Sequence, residues 1–297
     1  MEIGSIYALL SSMCFAAGHV FVRRGTHKAE ESFTATVISV VVGTSLFAII
    51  LPISGEWDRL WSLSWQGFIL LAAAGIIHFA VARYGLYSSI RLIGANKASA
   101  IMRANILFTV TFGIILFHEN VTLLLVLGAL GIMVGTTLVS FQREGKVFFT
   151  IPAKQVKGLL LALGASLLTS VSMLLVKQAM KEIGSPYAAT FVSFFAACLV
   201  MVTTLLISRQ RRANLFQLSR PSLIAFVLTG ISVLGGQLFR YSALGHSPVS
   251  VVQPLIGTSV LFVLFLSFMM NRKIDVFTFR VFIGILIIVI GTFLIFL

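Results

Sequence analysis

Three side chains stand where a bilayer tolerates them badly. His78 and Arg83 lie inside one apolar run, Arg103 lies well inside the next, and the whole stretch reads HFAVARYGLYSSIRLIGANKASAIMR. A charge at the centre of a membrane helix costs roughly 2.5–3.5 kcal/mol on insertion scales, so such residues usually face a protein-lined or wet cavity. The hairpin is therefore expected to line a cavity, and the cavity to be positive. The chain's nine carboxylates do not help to neutralise it, because none falls in the middle of a span. Arginine's planar fork suits carboxylate and phosphate, so the chemistry expected here is the holding of an anionic group. A cation exporter, or proton antiport on carboxylates, would want a buried acid instead.

Helical spacing adds partners, since residues at i, i+4, i+7 and i+11 share a face. One stripe in the first span is Ser12, Ala16, His19 and Arg23, and its counterpart in the sixth is Ser166, Ser170, Met173 and Lys177. Arg83 and Tyr87 are one turn apart; Asn96, Ser99 and Arg103 share a face; Ser232, Gly236 and Arg240 share another, with Tyr241 beside it. We read His78, Arg83, Tyr87, Ser99, Arg103, Arg240 and Tyr241 as substrate-binding candidates, and His19, Arg23 and Lys177 as gating candidates. Each has a plainer reading. Serines can glue helices together, and Arg23 and Lys177 lie near helix ends where they can snorkel to headgroups. His78 can be a packing residue, and the deep arginines can bond helix-end carbonyls. If protons are coupled, His19 and His78 are the side chains whose ordinary titration lies near neutrality. No nucleophile elbow, phosphate-cradling glycine loop or metal-ligand spacing is present, so neither an enzyme nor a cofactor or metal is expected.

The elements that must position these residues are membrane helices. The chain has 297 residues, 58% hydrophobic and only 10% charged, a membrane-protein profile. Ten apolar runs, near 4–22, 34–54, 66–88, 97–117, 121–141, 158–180, 187–207, 222–243, 248–270 and 276–297, each approach the length that crosses a bilayer. The net charge of +13 does not call for nucleic acid, because most basic residues lie in short loops, where they anchor and orient. Four of the 22 Lys and Arg lie within spans; sixteen of the other eighteen fall in loops on one side, leaving Arg59 and Lys181 on the other. By the positive-inside rule the loops after spans 1, 3, 5, 7 and 9 are cytoplasmic and both termini are outside, in a plasma (inner) membrane protein. Trp57, Trp61 and Trp65 then form an aromatic belt on the outer face. The amino terminus has no basic region of a cleavable signal. Cys14 and Cys198 fall in apolar spans and read as small buried hydrophobes.

The two halves resemble each other. A shift of 154 residues lays Ser12 on Ser166, Arg23 on Lys177, Thr36 on Thr190, Ser39 on Ser193 and Tyr87 on Tyr241; with two more residues of slippage, Gly128 and Gly135 fall on Gly284 and Gly291. Five spans per half is odd, so the second half is inverted relative to the first, an all-α architecture of ten transmembrane helices in two inverted repeats that suits alternating access.

This arrangement, with a fourth span ending in FHENVT before LLLVLGALGIMVGTTLV, resembles the EamA type of the drug/metabolite transporter superfamily. Repeats of that family typically end the fourth span with Gly-Glu and often carry an early proline in it. Here Glu119 matches while His118 replaces the glycine; the second half has Asn271-Arg272-Lys273; Pro254 fits where the first half has Arg103-Ala104. The resemblance implies one repeat over 1–141, a linker over 142–157 and a second repeat over 158–297. The family's substrates include amino acids, sugars, nucleotide sugars, phosphates and drugs. The function expected is secondary transport of a small anionic or zwitterionic metabolite. The alternatives are translocation of a lipid phosphate or lipid-linked sugar, and a non-transporting membrane scaffold. The partners expected are that substrate and membrane lipids.

Overall fold

A computed structural model describes residues 3–25, 31–93, 98, 101–140, 153–270 and 279–296. The transmembrane helices are α1 (Ile3–Gly25), α2 (Glu31–Ile53), α3 (Trp65–Gly75, a π-helical stretch Ile76–Ala82, then Arg83–Ile93), α4 (Ala104–Phe117), α5 (Leu123–Ser140), α6 (Ala153–Ile183), α7 (Pro186–Ile207), α8 (Arg220–His246), α9 (Val249–Gly257 and Ser259–Met270) and α10 (Phe279–Ile295). Two short surface helices, Asp58–Trp61 and Arg209–Phe216, sit between them. Serines start several elements by accepting a backbone N–H: Ser64 from Gly67, Ser185 from Ala188, Ser208 from Arg211 and Ser219 from Ser222. Pro186 and Pro221 occupy first turns, where the missing N–H is no loss. Large apolar side chains such as Ile53, Leu116, Phe282 and Phe293 stay exposed on the outside, as lipid contact requires. Trp57, Trp61 and Trp65 are exposed too.

The duplication is visible in which helices touch. Exchange the halves, and α1 on α8 becomes α6 on α3, α2 on α8 becomes α7 on α3, and α1 on α9 becomes α6 on α4; all six pairs pack closely. Three further pairs, α2 with α7, α4 with α9 and α5 with α10, map onto themselves and so straddle the pseudo-two-fold axis. With five crossings per half, that axis lies in the membrane plane.

Glycine makes the axial contacts possible. In α5 and α10 the matched glycines meet each other: a Cβ on Gly135 would lie 2.7 Å from Gly284 O, and one on Gly128 would lie 2.6 Å from Gly291 O. Off the axis, Gly75 of α3 lies against the backbone of Ser193 in α7, and its counterpart Gly230 of α8 against Ser39 of α2. Serines then tie helices by donating to neighbouring carbonyls: Ser11 to Gly236 (2.7 Å), Ser89 to Gly158 (2.8 Å), Ser170 to Asn105 (3.0 Å), Ser172 to Ala74 (2.9 Å) and Ser193 to Leu71 (2.9 Å). The plain reading of the serine stripes as helix glue therefore describes Ser170, while Ser12 and Ser166 mainly bond their own helices at Leu9 and Leu163. Cys14 and Cys198 are free thiols.

Candidate functional site

Both fourth helices of the repeats are broken, and Arg103 is one of the breaks. The helical hydrogen-bond ladder is interrupted for one residue at Arg103, before α4, and again at Thr258, between the halves of α9, although both residues keep right-handed helical φ and ψ. The two turns match: Ile106 N donates to Arg103 O at 3.0 Å, and Leu261 N to Thr258 O at 2.8 Å. In α9, Pro254 lacks the N–H that would bond Ser250 O, which loosens the turn before it; at the break itself Thr258 Oγ1 donates to Leu255 O at 2.6 Å and lies 3.3 Å from Ser12 Oγ. Discontinuous helices leave backbone polar groups at membrane depth, which is acceptable only where they are buried in protein or line a cavity.

His78 sits in the π-helical stretch of α3. Just ahead of it, Ser193 and Ser172 take up the Leu71 and Ala74 carbonyls, and Gly75 brings α7 against the helix. Donors inserted into a helix's carbonyl ladder loosen its winding, which accounts for the widening there. Phe79 carries the aromatic contacts between core and site. Its ring lies 4.8 Å from Phe194, 4.9 Å edge-on from His78 and 5.5 Å from the Arg83 guanidinium carbon. Arg83 is thus steered by a cation–π contact.

The expected basic residues converge. The charges of Arg103 and Arg83 both bear on His19; those of Arg240 and Arg83 bear on His78; that of Arg83 also bears on Arg240. Residues of α1, α3, α4 and α8 therefore share one positive field. The symmetry mates α3 and α8 do not pack closely among the described residues. His19 is exposed on α1. Several polar atoms there are buried without a partner: His78 Nδ1, Arg103 Nε, Arg240 Nε and Nη2, and both amide atoms of Gln237. Native proteins rarely leave such atoms orphaned without a functional reason. Arg240, only 4% exposed, rests 5.4 Å from the ring of Tyr241. Tyr241 is itself fully buried in the apolar core, behind Arg240. Tyr87 is within α3, but its side chain lies outside what the structure describes, and Ser99 lies outside the described residues altogether.

The described carboxylates are elsewhere. Glu56 neighbours Arg59 at 3.9 Å, and Glu182 accepts from Ser64 Oγ at 2.6 Å. Glu119 takes Val249 N (2.8 Å) and Ser250 N (3.1 Å), capping the free amides at the start of α9. Lys177 works on the same connection from the other side: its Nζ donates to Leu244 O (2.7 Å) and Ser247 O (2.9 Å). A lysine on the last carbonyls of α8 and a glutamate on the first amides of α9 thus clamp the connection between these two helices. Gly4 of α1 lies against the Ser247 side chain there. Arg23, the counterpart of Lys177, also has an interaction partner.

Comparison with known proteins bears directly on this architecture. The sequence pattern of the EamA-like transporter family matches residues 2–141 and again 156–297. This chain belongs to the EamA-like transporter family. It is a multi-pass integral membrane protein and not an enzyme, and it carries two EamA domains consistent with inverted repeats. Among curated proteins, an uncharacterized transporter from the cobO 3' region of Sinorhizobium sp is 25% identical over 134 residues, 45% of this chain and 94% of that one. A solved protein crystal structure covers 99% of this chain and 95% of its own, with a TM-score of 0.81 and 15% identity; that likeness concerns the fold alone.

In this EamA-like chain the clamp gives the Gly-Glu pattern a physical meaning. His118 ends α4 in the left-handed region, φ 52°, which glycine adopts freely and other residues seldom do. That turn reverses the chain so that Glu119 N donates to Gly113 O at 3.3 Å and the carboxylate reaches α9. Gln237 is a candidate that sequence reasoning missed. Its signal was an amide one turn before Arg240, in mid-span.

Proposed function

We propose that this EamA-like transporter moves a small anionic or zwitterionic metabolite by alternating access. The observation that carries the reading is that Arg103 and Arg240 hold buried, unpartnered donors while their charges, with that of Arg83, bear on His19 and His78, and the described ion pair and carboxylate bonds lie elsewhere. Arg83 and Arg103 neutralise the substrate's acidic group; Arg240, His78, Ser99, Tyr87 and Tyr241 complete or support its pocket. The repeats over 1–141 and 158–297, joined by 142–157, rock about the axis through α4 and α9. Saturable uptake by the purified chain in proteoliposomes, competed by anions and not by organic cations, tests this. Unsaturable flux would favour a scaffold, and competition by lipid phosphates alone would favour a lipid translocator.

The same reading makes Lys177 the outer gate and Arg23 its inner counterpart, with His19 just inside the latter. The loop charges put the clamped connection outside and both termini with it, so the cavity faces the cytoplasm. Single cysteines at 23 and 177, in a chain with Cys14 and Cys198 replaced by alanine, provide the check. A membrane-impermeant maleimide applied to intact cells should label position 177 and spare 23, and substrate should shift their labelling in opposite senses. The reverse labelling would turn the topology over, and parallel shifts would remove the symmetric gates.

A further inference from the structure

The positive field is larger than one acidic group can neutralise. Arg83 stands over Phe79, whose ring also meets His78, and its charge bears on His19 together with that of Arg103 and on Arg240. Like charges at membrane depth repel with little screening, and a lone carboxylate would leave two of the three uncompensated. The unpartnered atoms also come from different elements: His78 Nδ1 from α3 and Arg103 Nε from the turn before α4. Arg240 Nε and Nη2 stand with both amide atoms of Gln237, one turn away on α8. Gln237 offers donors and an acceptor, so this pair can read a protonated or carbonyl oxygen as well as an anionic one.

Resting on the transport reading above, we propose that the cargo is a small molecule bearing at least two negative charges on oxygen, one held by Arg83 and Arg103 and the other by Arg240 and Gln237. A dicarboxylate and a phosphate monoester share this chemistry. A monocarboxylate or an amino-acid zwitterion fills only half of it.

The test is thermal stability of the full-length purified protein with succinate, inorganic phosphate, acetate or tetraethylammonium, at constant ionic strength and at a pH where succinate is doubly ionised. A ligand that binds only the folded state must raise its stability. Succinate or phosphate should protect at a concentration at least about tenfold lower than acetate, a difference of about 1.4 kcal/mol in binding. Protection by succinate with none by phosphate assigns the dicarboxylate; the converse assigns the phosphate ester. Arg240→Gln should bring the succinate and acetate midpoints together, and Arg240→Lys should keep them apart; the comparison within the unmodified protein stands even where a variant folds poorly. Equal potency of acetate and succinate overturns the two-charge proposal while leaving anion transport intact. Protection by tetraethylammonium, or by none of the anions, overturns both.

Discussion

Arg103→Ala loses most transport while the protein stays folded. Arg103 stands at the break before α4, half-buried, with Nε unpartnered. No described protein group depends on its side chain for a hydrogen bond, so its removal orphans none of the described groups. Losing an uncompensated buried charge even relieves the native state of a desolvation cost. Stability should therefore hold or rise slightly. Binding is different. A hydrogen bond to a charged group is worth about 1.5–3 kcal/mol, or about ten- to a hundredfold in affinity, and transport at low substrate should fall by that factor. Arg103→Lys keeps the charge but loses the planar fork and should recover part of it; Arg103→Glu should be worse than alanine, because it repels the same anion. The measurement is transport per folded molecule, paired with thermal stability, for all three variants. Near-normal specific transport by folded Arg103→Ala protein would sink the anion site at this position.

The second large effect is structural. Gly75→Ala should prevent α3 and α7 from docking. The new methyl would fall on the Ser193 backbone, and backbone cannot rotate away as a side-chain tip can. Parting the helices would also strain the bonds from Ser193 to Leu71 and from Ser172 to Ala74 and would withdraw Phe194 from Phe79. Overpacking alone costs about 1–3 kcal/mol, occasionally more, and each lost hydrogen bond about 1 kcal/mol. The sum, about 3–5 kcal/mol, reaches the lower end of a typical domain's stability of about 5–15 kcal/mol. Purification should yield little monodisperse protein, and any that folds should melt far below the parent. Gly164→Ala is the control. Nothing lies within 4 Å of its Cβ position, and alanine suits a helix interior better than glycine. Equal melting of Gly75→Ala and the parent would show that the close approach does not hold the bundle together.

Several site residues divide between what local sequence encodes and what contact decides. The glycines Gly128, Gly135, Gly284 and Gly291 were matched as repeat counterparts from sequence. That they meet each other across the axis follows only once five helices invert onto five. His78, Arg83, Arg103 and Arg240 were recognisable because a charge or imidazole inside an apolar run is conspicuous by itself. Gln237 was not, since an amide in mid-span is cheap enough to be a packing residue. Its importance comes from having no partner, which no single helix can reveal. Lys177 was found as a gate candidate, but its acceptors are carbonyls 67 and 70 residues away.

The sequence alone determined the ten-helix membrane class, the duplication and the positive, acid-free character of the spans. Those are properties of composition and of span length, and the bilayer reads them segment by segment. Only the tertiary structure decided where helices break and widen, because those events depend on outside groups reaching a helix's carbonyls. Ser193 and Ser172 do so beside the π-helical stretch of α3. The turn at Arg103 has no proline to announce it, and it is recognised by matching the one after Pro254. The clamp on the α8–α9 connection likewise needs Glu119 and Lys177 brought together from different halves, and backbone amides and carbonyls carry no sequence signature of their own.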